Sequence, residues 1–126
     1  MLKPNKPCSI ALEIESEFTA SHSLEGFEVV HFHLWKVFAE FQASLPLASD
    51  RLIDLVYLQG VMDQVLNPLH GTYLNQTLSM SPTTENLASY VWDEILRLLP
   101  EAPLTQIRIH ICNLEGKSTG SARVFK

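Results

Sequence analysis

The chain has 126 residues, of which 46% are apolar and 18% are charged, and its formal net charge is -5. These values are typical of one globular domain over residues 1–126, and they argue against nucleic acid or an acidic membrane surface as a partner. The apolar stretches are too short to span a bilayer, and residues 1–7 have no apolar run of the kind found in signal peptides. We therefore expect a cytoplasmic protein in which Cys8 and Cys112 are free thiols.

Two segments near the N-terminus alternate apolar and polar residues, as strands with one buried face do. In residues 8–22 the apolar face includes Phe18, and in residues 30–43 it includes Trp35. The loop between them is short and contains a glycine, so the two strands are predicted to form an antiparallel hairpin.

The apolar period then changes to three and four residues over 50–69, which predicts a helix that Pro68 ends or kinks. The segment Ser-Pro-Thr-Thr-Glu-Asn at 81–86 combines a hydroxyl cap, an early proline and an acid, so it predicts the start of a second helix. Pro100 ends that helix.

Alternating isoleucines over 107–111 predict a third strand, and residues 121–125 predict a short fourth one. The order is strand, strand, helix, helix, strand, strand. We therefore expect an α+β fold in which two helices cover one face of a four-stranded antiparallel sheet.

Three histidines are predicted to converge on the buried side of this sheet. His31 and His33 are two positions apart on one strand, with Cα atoms roughly 6.6 Å apart, and they share the apolar face. His22 lies on the apolar face of the preceding strand, and the hairpin brings it opposite them. Three imidazoles with an open fourth position are typical of catalytic zinc sites. The alternative is that they are hydrogen-bonded core histidines.

Several motifs resemble the 6-pyruvoyl-tetrahydropterin synthase and 6-carboxytetrahydropterin synthase family, in the family's order and over nearly the whole chain. They are Phe-Thr-Ala-Ser-His at 18–22, His-Phe-His at 31–33, Tyr-Leu-Asn at 73–75 and Pro-Thr-Thr-Glu-Asn-Leu-Ala at 82–88. The resemblance implies the tunnelling fold, a zinc ion on the three histidines, and the substrate 7,8-dihydroneopterin triphosphate. It also implies homo-oligomers, either trimers joined through their sheets or hexamers of two trimers.

The family's catalytic cysteine lies four residues before the His-x-His motif, where this chain has Phe27. A phenyl ring cannot carry a proton, so Glu25 and Glu28 are candidate replacements, and the alternative is that both are solvated loop acids. The family's Asp-His pair is also altered, because His70 is present without an orienting carboxylate. Either His70 or Glu28 is therefore the candidate for proton transfer.

The family anchors its pterin through a glutamate near the C-terminus, and Glu115 is the available acid here, with Thr83 and Glu85 nearby. The alternative for Glu115 is an ordinary turn residue. The resemblance therefore implies a zinc-dependent carbon–oxygen lyase that acts on 7,8-dihydroneopterin triphosphate or a related pterin. Two alternatives stay open. The first is a non-catalytic family member that binds zinc and a pterin, and the second is a zinc-free enzyme similar to dihydroneopterin aldolase.

Overall fold

The computed structural model describes residues 8–24, 29–49 and 52–126. The elements in these ranges are β1 (Ser9–His22), β2 (His31–Ser44), α1 (Leu55–Leu66), α2 (Leu74–Thr77), α3 (Thr84–Leu98), β3 (Leu104–Cys112) and β4 (Ser118–Phe125). The strands form one antiparallel sheet in the order β1-β2-β3-β4. The predicted α+β class and element order are therefore confirmed. Two details differ, because β4 begins earlier than expected and the short α2 was not predicted.

One face of the sheet packs against α1 and α3, and the core lies between these layers. The alternation along β1 and β2 places Phe18 and Trp35 on this face, where both side chains are almost completely buried. The apolar face of α3 contributes Leu87, Val91 and Ile95 to the core. The opposite face carries charged residues, including an ion pair between Arg108 and Glu13 at 3.5 Å.

Side-chain caps decide where the two long helices begin. The Asp54 carboxylate accepts hydrogen bonds from the backbone N–H groups of Val56 at 2.8 Å and Tyr57 at 3.3 Å, so α1 begins after it rather than at residue 50. Thr83 accepts from the N–H of Asn86 at 3.1 Å and is the N-cap of α3. Each cap satisfies backbone donors that have no partner inside the helix.

Residues 70–75, which we term the docked segment, lie alongside the C-terminal end of β1. The Gly71 N–H donates to the Thr19 carbonyl at 2.6 Å, and the Ser21 N–H donates to the Thr72 carbonyl at 3.0 Å. Gly71 has a positive φ of 75°, which favours glycine and turns the chain towards β1. The docked segment therefore covers this end of the edge strand and adds side chains to the same end of the sheet.

Among the described residues, none of the helices has the length and apolarity that crossing a lipid bilayer requires.

Candidate functional site

The histidines of interest lie at one end of the sheet, where β1 ends and β2 begins. His22 pairs with His31 across the two strands, and His33 pairs with Ala20 two positions further along. The imidazole centroids of His22 and His33 are 4.9 Å apart in an edge-to-face arrangement. The hairpin register therefore brings these two rings together, as the residue parity predicted.

Two backbone carbonyls determine how these rings can act. Nδ1 of His22 lies 2.9 Å from the Pro82 carbonyl oxygen, and Nδ1 of His33 lies 3.3 Å from the Cys112 carbonyl oxygen. Because a carbonyl oxygen can only accept, Nδ1 must carry the proton in both rings. In the neutral rings Nε2 then keeps its lone pair. Imidazoles that bind metals in proteins have this second-shell arrangement.

The surroundings of His33 favour its neutral form. Burial lowers the pKa of His33 below its usual value, and the nearby His22 and His31 rings lower it further. The hydrogen bond with Cys112 opposes this shift by raising the pKa. The net effect leaves the lone pair available at neutral pH, which metal binding requires.

His31 differs from the other two histidines because it is exposed, whereas His22 is buried and His33 is half-buried. It stands at the first residue of β2, and its ring centroid is 6.0 Å from that of His33. Across the described ranges, no group of three or more His, Cys, Asp or Glu side chains is arranged to hold a metal ion. The donor set consists of two oriented imidazoles and a third at the surface, so its chemistry suits zinc although the three rings are not assembled around one point.

Trp35 forms the buried floor beneath the histidines. Its ring meets those of His22 and His33 edge-on, with centroid distances of 5.1 and 5.7 Å. Its Nε1–H donates to the Ala20 carbonyl at 3.2 Å, and its other side stacks on Phe18. The two oriented histidines therefore rest on the hydrophobic core, which restricts their rotation.

A cavity of about 180 Å³ opens beside this cluster. It is lined by His22, Ser23, Leu24 and His31. Its walls therefore combine imidazole, hydroxyl and aliphatic groups, which is the mixture expected of a small-molecule site.

The structure gives His70 a contact with the backbone. Its Nδ1 accepts a hydrogen bond from the Thr19 N–H at 3.1 Å. Because Nδ1 accepts, the proton of the neutral ring lies on Nε2, which is the opposite tautomer to that of His22 and His33. His70 therefore joins the docked segment to β1, and only its Nε2–H is left to donate elsewhere.

The predicted pterin contacts flank the histidines from two sides. Thr83 is the N-cap of α3 and follows Pro82, whose carbonyl contacts His22, and Glu85 lies in the first turn of the helix. Glu115 is exposed in the turn after Cys112, whose carbonyl contacts His33. The fold therefore brings both segments to the histidine end of the sheet. The remaining candidates, Glu25, Phe27 and Glu28, lie outside the described residues.

Sequence reasoning missed the contacts among three polar side chains at this site, which are Ser23, Tyr73 and Asn75. The Ser23 hydroxyl lies 2.6 Å from the Tyr73 hydroxyl. The Asn75 side chain accepts from the Ser23 N–H at 2.9 Å and donates to the Ser23 carbonyl at 2.7 Å. The Tyr-Leu-Asn motif at 73–75 was the available signal, but nothing in its spacing indicated contact with Ser23.

The fold and the site define a small α+β protein with an imidazole-lined cavity at one end of an antiparallel sheet. A sequence model of the 6-pyruvoyl tetrahydropterin synthase family matches residues 11–121. The chain therefore belongs to this family.

Individual relatives agree with this assignment. The chain is 26% identical over 85 residues to 6-pyruvoyl tetrahydrobiopterin synthase from Homo sapiens and 29% identical over 85 residues to the enzyme from Poecilia reticulata. The human match covers 64% of this chain and spans 59% of the relative's length.

Solved structures share the fold. The 6-pyruvoyl tetrahydropterin synthase of Caenorhabditis elegans superposes with a TM-score of 0.78 at 17% identity, covering 94% of this chain and 96% of that one. The Plasmodium falciparum enzyme has a TM-score of 0.71 at 18% identity, covering 94% and 98%. Two structures of the Plasmodium vivax enzyme carry substitutions of a glutamate that is described as a catalytic residue.

Proposed function

We propose that this chain is a zinc-dependent carbon–oxygen lyase that acts on 7,8-dihydroneopterin triphosphate or a related reduced pterin. The observation that carries the proposal is the shared tautomer of His22 and His33, both of which donate from Nδ1 to a backbone carbonyl. This arrangement prepares both Nε2 atoms for a metal. Membership of the pterin synthase family supplies the class of substrate.

In this proposal His22, His31 and His33 hold the zinc ion. When bound, the metal would supply Lewis acidity towards the hydroxyl oxygens of the pterin side chain. The chain's own part is to orient the rings, because the carbonyls of Pro82 and Cys112 fix the tautomers from outside the cluster. The exposed His31 keeps the third donor at the mouth of the cavity.

For the proton transfer we propose Glu28 or His70. The glutamate described as a catalytic residue in the Plasmodium vivax enzyme favours Glu28, because it is an example of a carboxylate with a catalytic function in a protein of this fold. The Thr19 contact restricts His70, because a ring whose Nδ1 accepts from Thr19 offers Nε2–H only as a hydrogen-bond donor and can transfer a proton only when that contact is released. A carboxylate that accepts a proton and an imidazole that donates a hydrogen bond are compatible roles in a single reaction.

We propose Glu115 as the anchor of the pterin ring, with Thr83 and Glu85 as further contacts. Their positions in the chain support this proposal. Thr83 follows Pro82, whose carbonyl contacts His22, and Glu115 lies in the turn after Cys112, whose carbonyl contacts His33. A carboxylate accepts hydrogen bonds, which matches the donors on the amino-pyrimidine edge of a pterin.

We also propose self-association through the edges of the sheet, as trimers or as hexamers of two trimers. The uncovered face of β1 carries Glu13, Glu15 and Glu17, whereas β4 carries Arg123. β1 and β4 are the two edge strands of the sheet, so the acidic β1 of one copy beside the basic β4 of the next gives complementary charge. Pairing of these strands would also satisfy their free backbone hydrogen-bonding groups. Arg123→Glu should then lower the mass measured by analytical ultracentrifugation.

The test of the function is direct. Zinc-loaded protein is incubated with 7,8-dihydroneopterin triphosphate and the products are identified by mass. Loss of triphosphate that His31→Ala abolishes supports the lyase. His110→Ala is the matched control, because His110 lies on the opposite face of the sheet and contacts Ser118. Unchanged substrate with zinc bound would rule out the lyase.

A second candidate is a non-catalytic family member that binds zinc and a pterin. The observation that favours it is the Thr19 contact of His70, which ties this histidine to the backbone. In this case a reduced pterin would bind without turnover, and Phe27→Cys would restore turnover. Fewer than about one zinc per three chains would instead favour the zinc-free aldolase-like alternative.

A further inference from the structure

The docked segment brings the Tyr73 hydroxyl against Ser23, which lines the cavity. Ser23 follows His22 directly and lines the cavity with it. Its hydroxyl oxygen lies 2.6 Å from that of Tyr73, which is a short hydrogen bond between two half-buried side chains. Neither residue is needed for the zinc ligation or the proton transfer proposed above.

Side chains of the docked segment hold both the backbone and the hydroxyl of Ser23. The Asn75 side chain pairs with both the N–H and the carbonyl of Ser23, at 2.9 and 2.7 Å. The neighbouring Ser21–Tyr73 bridge continues the same pairing into β1. Three separate contacts therefore orient the Ser23 backbone and hydroxyl towards the docked segment.

The hydroxyl groups of Ser23 and Tyr73 can form further hydrogen bonds with a ligand. Each hydroxyl has one proton and two lone pairs, so the bond between them uses one proton and one lone pair in total. One hydroxyl proton and three lone pairs stay available. The pair can therefore donate one hydrogen bond to a ligand oxygen and also accept from a ligand hydroxyl.

We infer that Ser23 binds a hydroxyl group of the ligand's side chain and that Tyr73 is a positioning residue that orients Ser23. The inference rests on the proposed function, and it names the part of the ligand that this wall of the cavity recognises. A polyol side chain is the matching chemistry, because a hydroxyl both donates and accepts. A ligand without hydroxyls would leave the pair without a partner, which lowers affinity when the group is desolvated.

The test compares two ligands at equilibrium, using zinc-loaded protein and calorimetry. The ligands are 7,8-dihydroneopterin, which has a hydroxylated side chain, and 6-methyl-7,8-dihydropterin, which has none. We expect Ser23→Ala to weaken dihydroneopterin binding about five-fold and to leave 6-methyl-dihydropterin binding unchanged. Ser23→Thr, which keeps the hydroxyl, should retain most of the affinity, and the exposed Tyr57→Phe is the matched control for Tyr73→Phe.

Tyr73→Phe should weaken dihydroneopterin binding about two- to five-fold, and the double variant should be no weaker than Ser23→Ala alone. Additive losses, or equal losses for both ligands, would overturn the hydroxyl site. If the wild-type protein binds both pterins equally well, the inference about Ser23 is overturned but the proposed function is not. Wild-type protein that binds neither pterin would overturn the proposed function and this inference with it.

Discussion

Replacing Trp35 with phenylalanine tests whether the hydrophobic core supports the histidine site. Trp35 is completely buried, and its indole N–H is bonded to the Ala20 carbonyl at 3.2 Å. Phenylalanine keeps an aromatic ring that can stack on Phe18, but it removes the donor and leaves unfilled space below the imidazoles.

The expected loss of stability has two parts. Leaving the Ala20 carbonyl without its indole donor costs about 1 kcal/mol, and it can cost more if water cannot reach the oxygen. The smaller ring leaves a partial cavity, which adds about 1–2 kcal/mol because full truncation of a buried aromatic residue costs about 3–5 kcal/mol. We therefore expect Trp35→Phe to lower the free energy of unfolding by about 2–3 kcal/mol.

The matched control is Phe41→Leu, because Phe41 is completely buried on the same face of β2. It lies six positions from Trp35, about 20 Å along an extended strand. Urea unfolding followed by circular dichroism measures both losses, and a zinc competition titration of the folded proteins measures metal affinity. We expect both variants to be destabilised but only Trp35→Phe to lose zinc affinity.

Two results would refute this reasoning. A change in unfolding free energy below about 0.5 kcal/mol for Trp35→Phe would show that the indole bond and its packing contribute little. Equal loss of zinc affinity in Phe41→Leu would show that general stability, rather than the ring contacts of Trp35, governs the site.

Three further predictions concern the caps and charges around the site. Thr83→Ala should lower the free energy of unfolding by about 1 kcal/mol because α3 loses its N-cap, whereas Thr83→Ser should restore it in the same urea assay. Asn75→Ala removes two hydrogen bonds to Ser23 and should cost about 1–2 kcal/mol in urea unfolding. The pKa of His33 is lowered in the folded state, so the unfolded chain takes up its proton first as pH falls below about 6.5. Metal-free protein should therefore lose stability on acidification through this range, and His33→Gln should lose less.

Each of these has a clear contrary outcome. Serine and alanine at position 83 behaving alike would exclude the hydroxyl cap. Unchanged stability of Asn75→Ala would show that water replaces both contacts with Ser23. An equal acid-induced loss in wild-type protein and His33→Gln would assign the pH dependence to other groups.

The sequence by itself determined the fold class and the placement of most side chains. Alternation in β1 and β2 predicts Phe18 and Trp35 on the buried face, and the three-to-four period predicts the covering helices, because each periodicity is a direct consequence of backbone geometry. The same parity argument placed His22 and His33 on the side of the core. It also placed His31 there, but the structure has this residue exposed, because strand parity does not show where the covering layer ends.

Only the tertiary structure decided what the site residues can do. The tautomers of His22 and His33 depend on carbonyls that are 60 and 79 residues away in sequence. The Ser23–Tyr73 pair joins residues 50 positions apart, and the Thr19 contact of His70 spans 51. Such contacts arise when whole elements pack together, and a local pattern contains no information about which distant carbonyl or hydroxyl will face a given side chain.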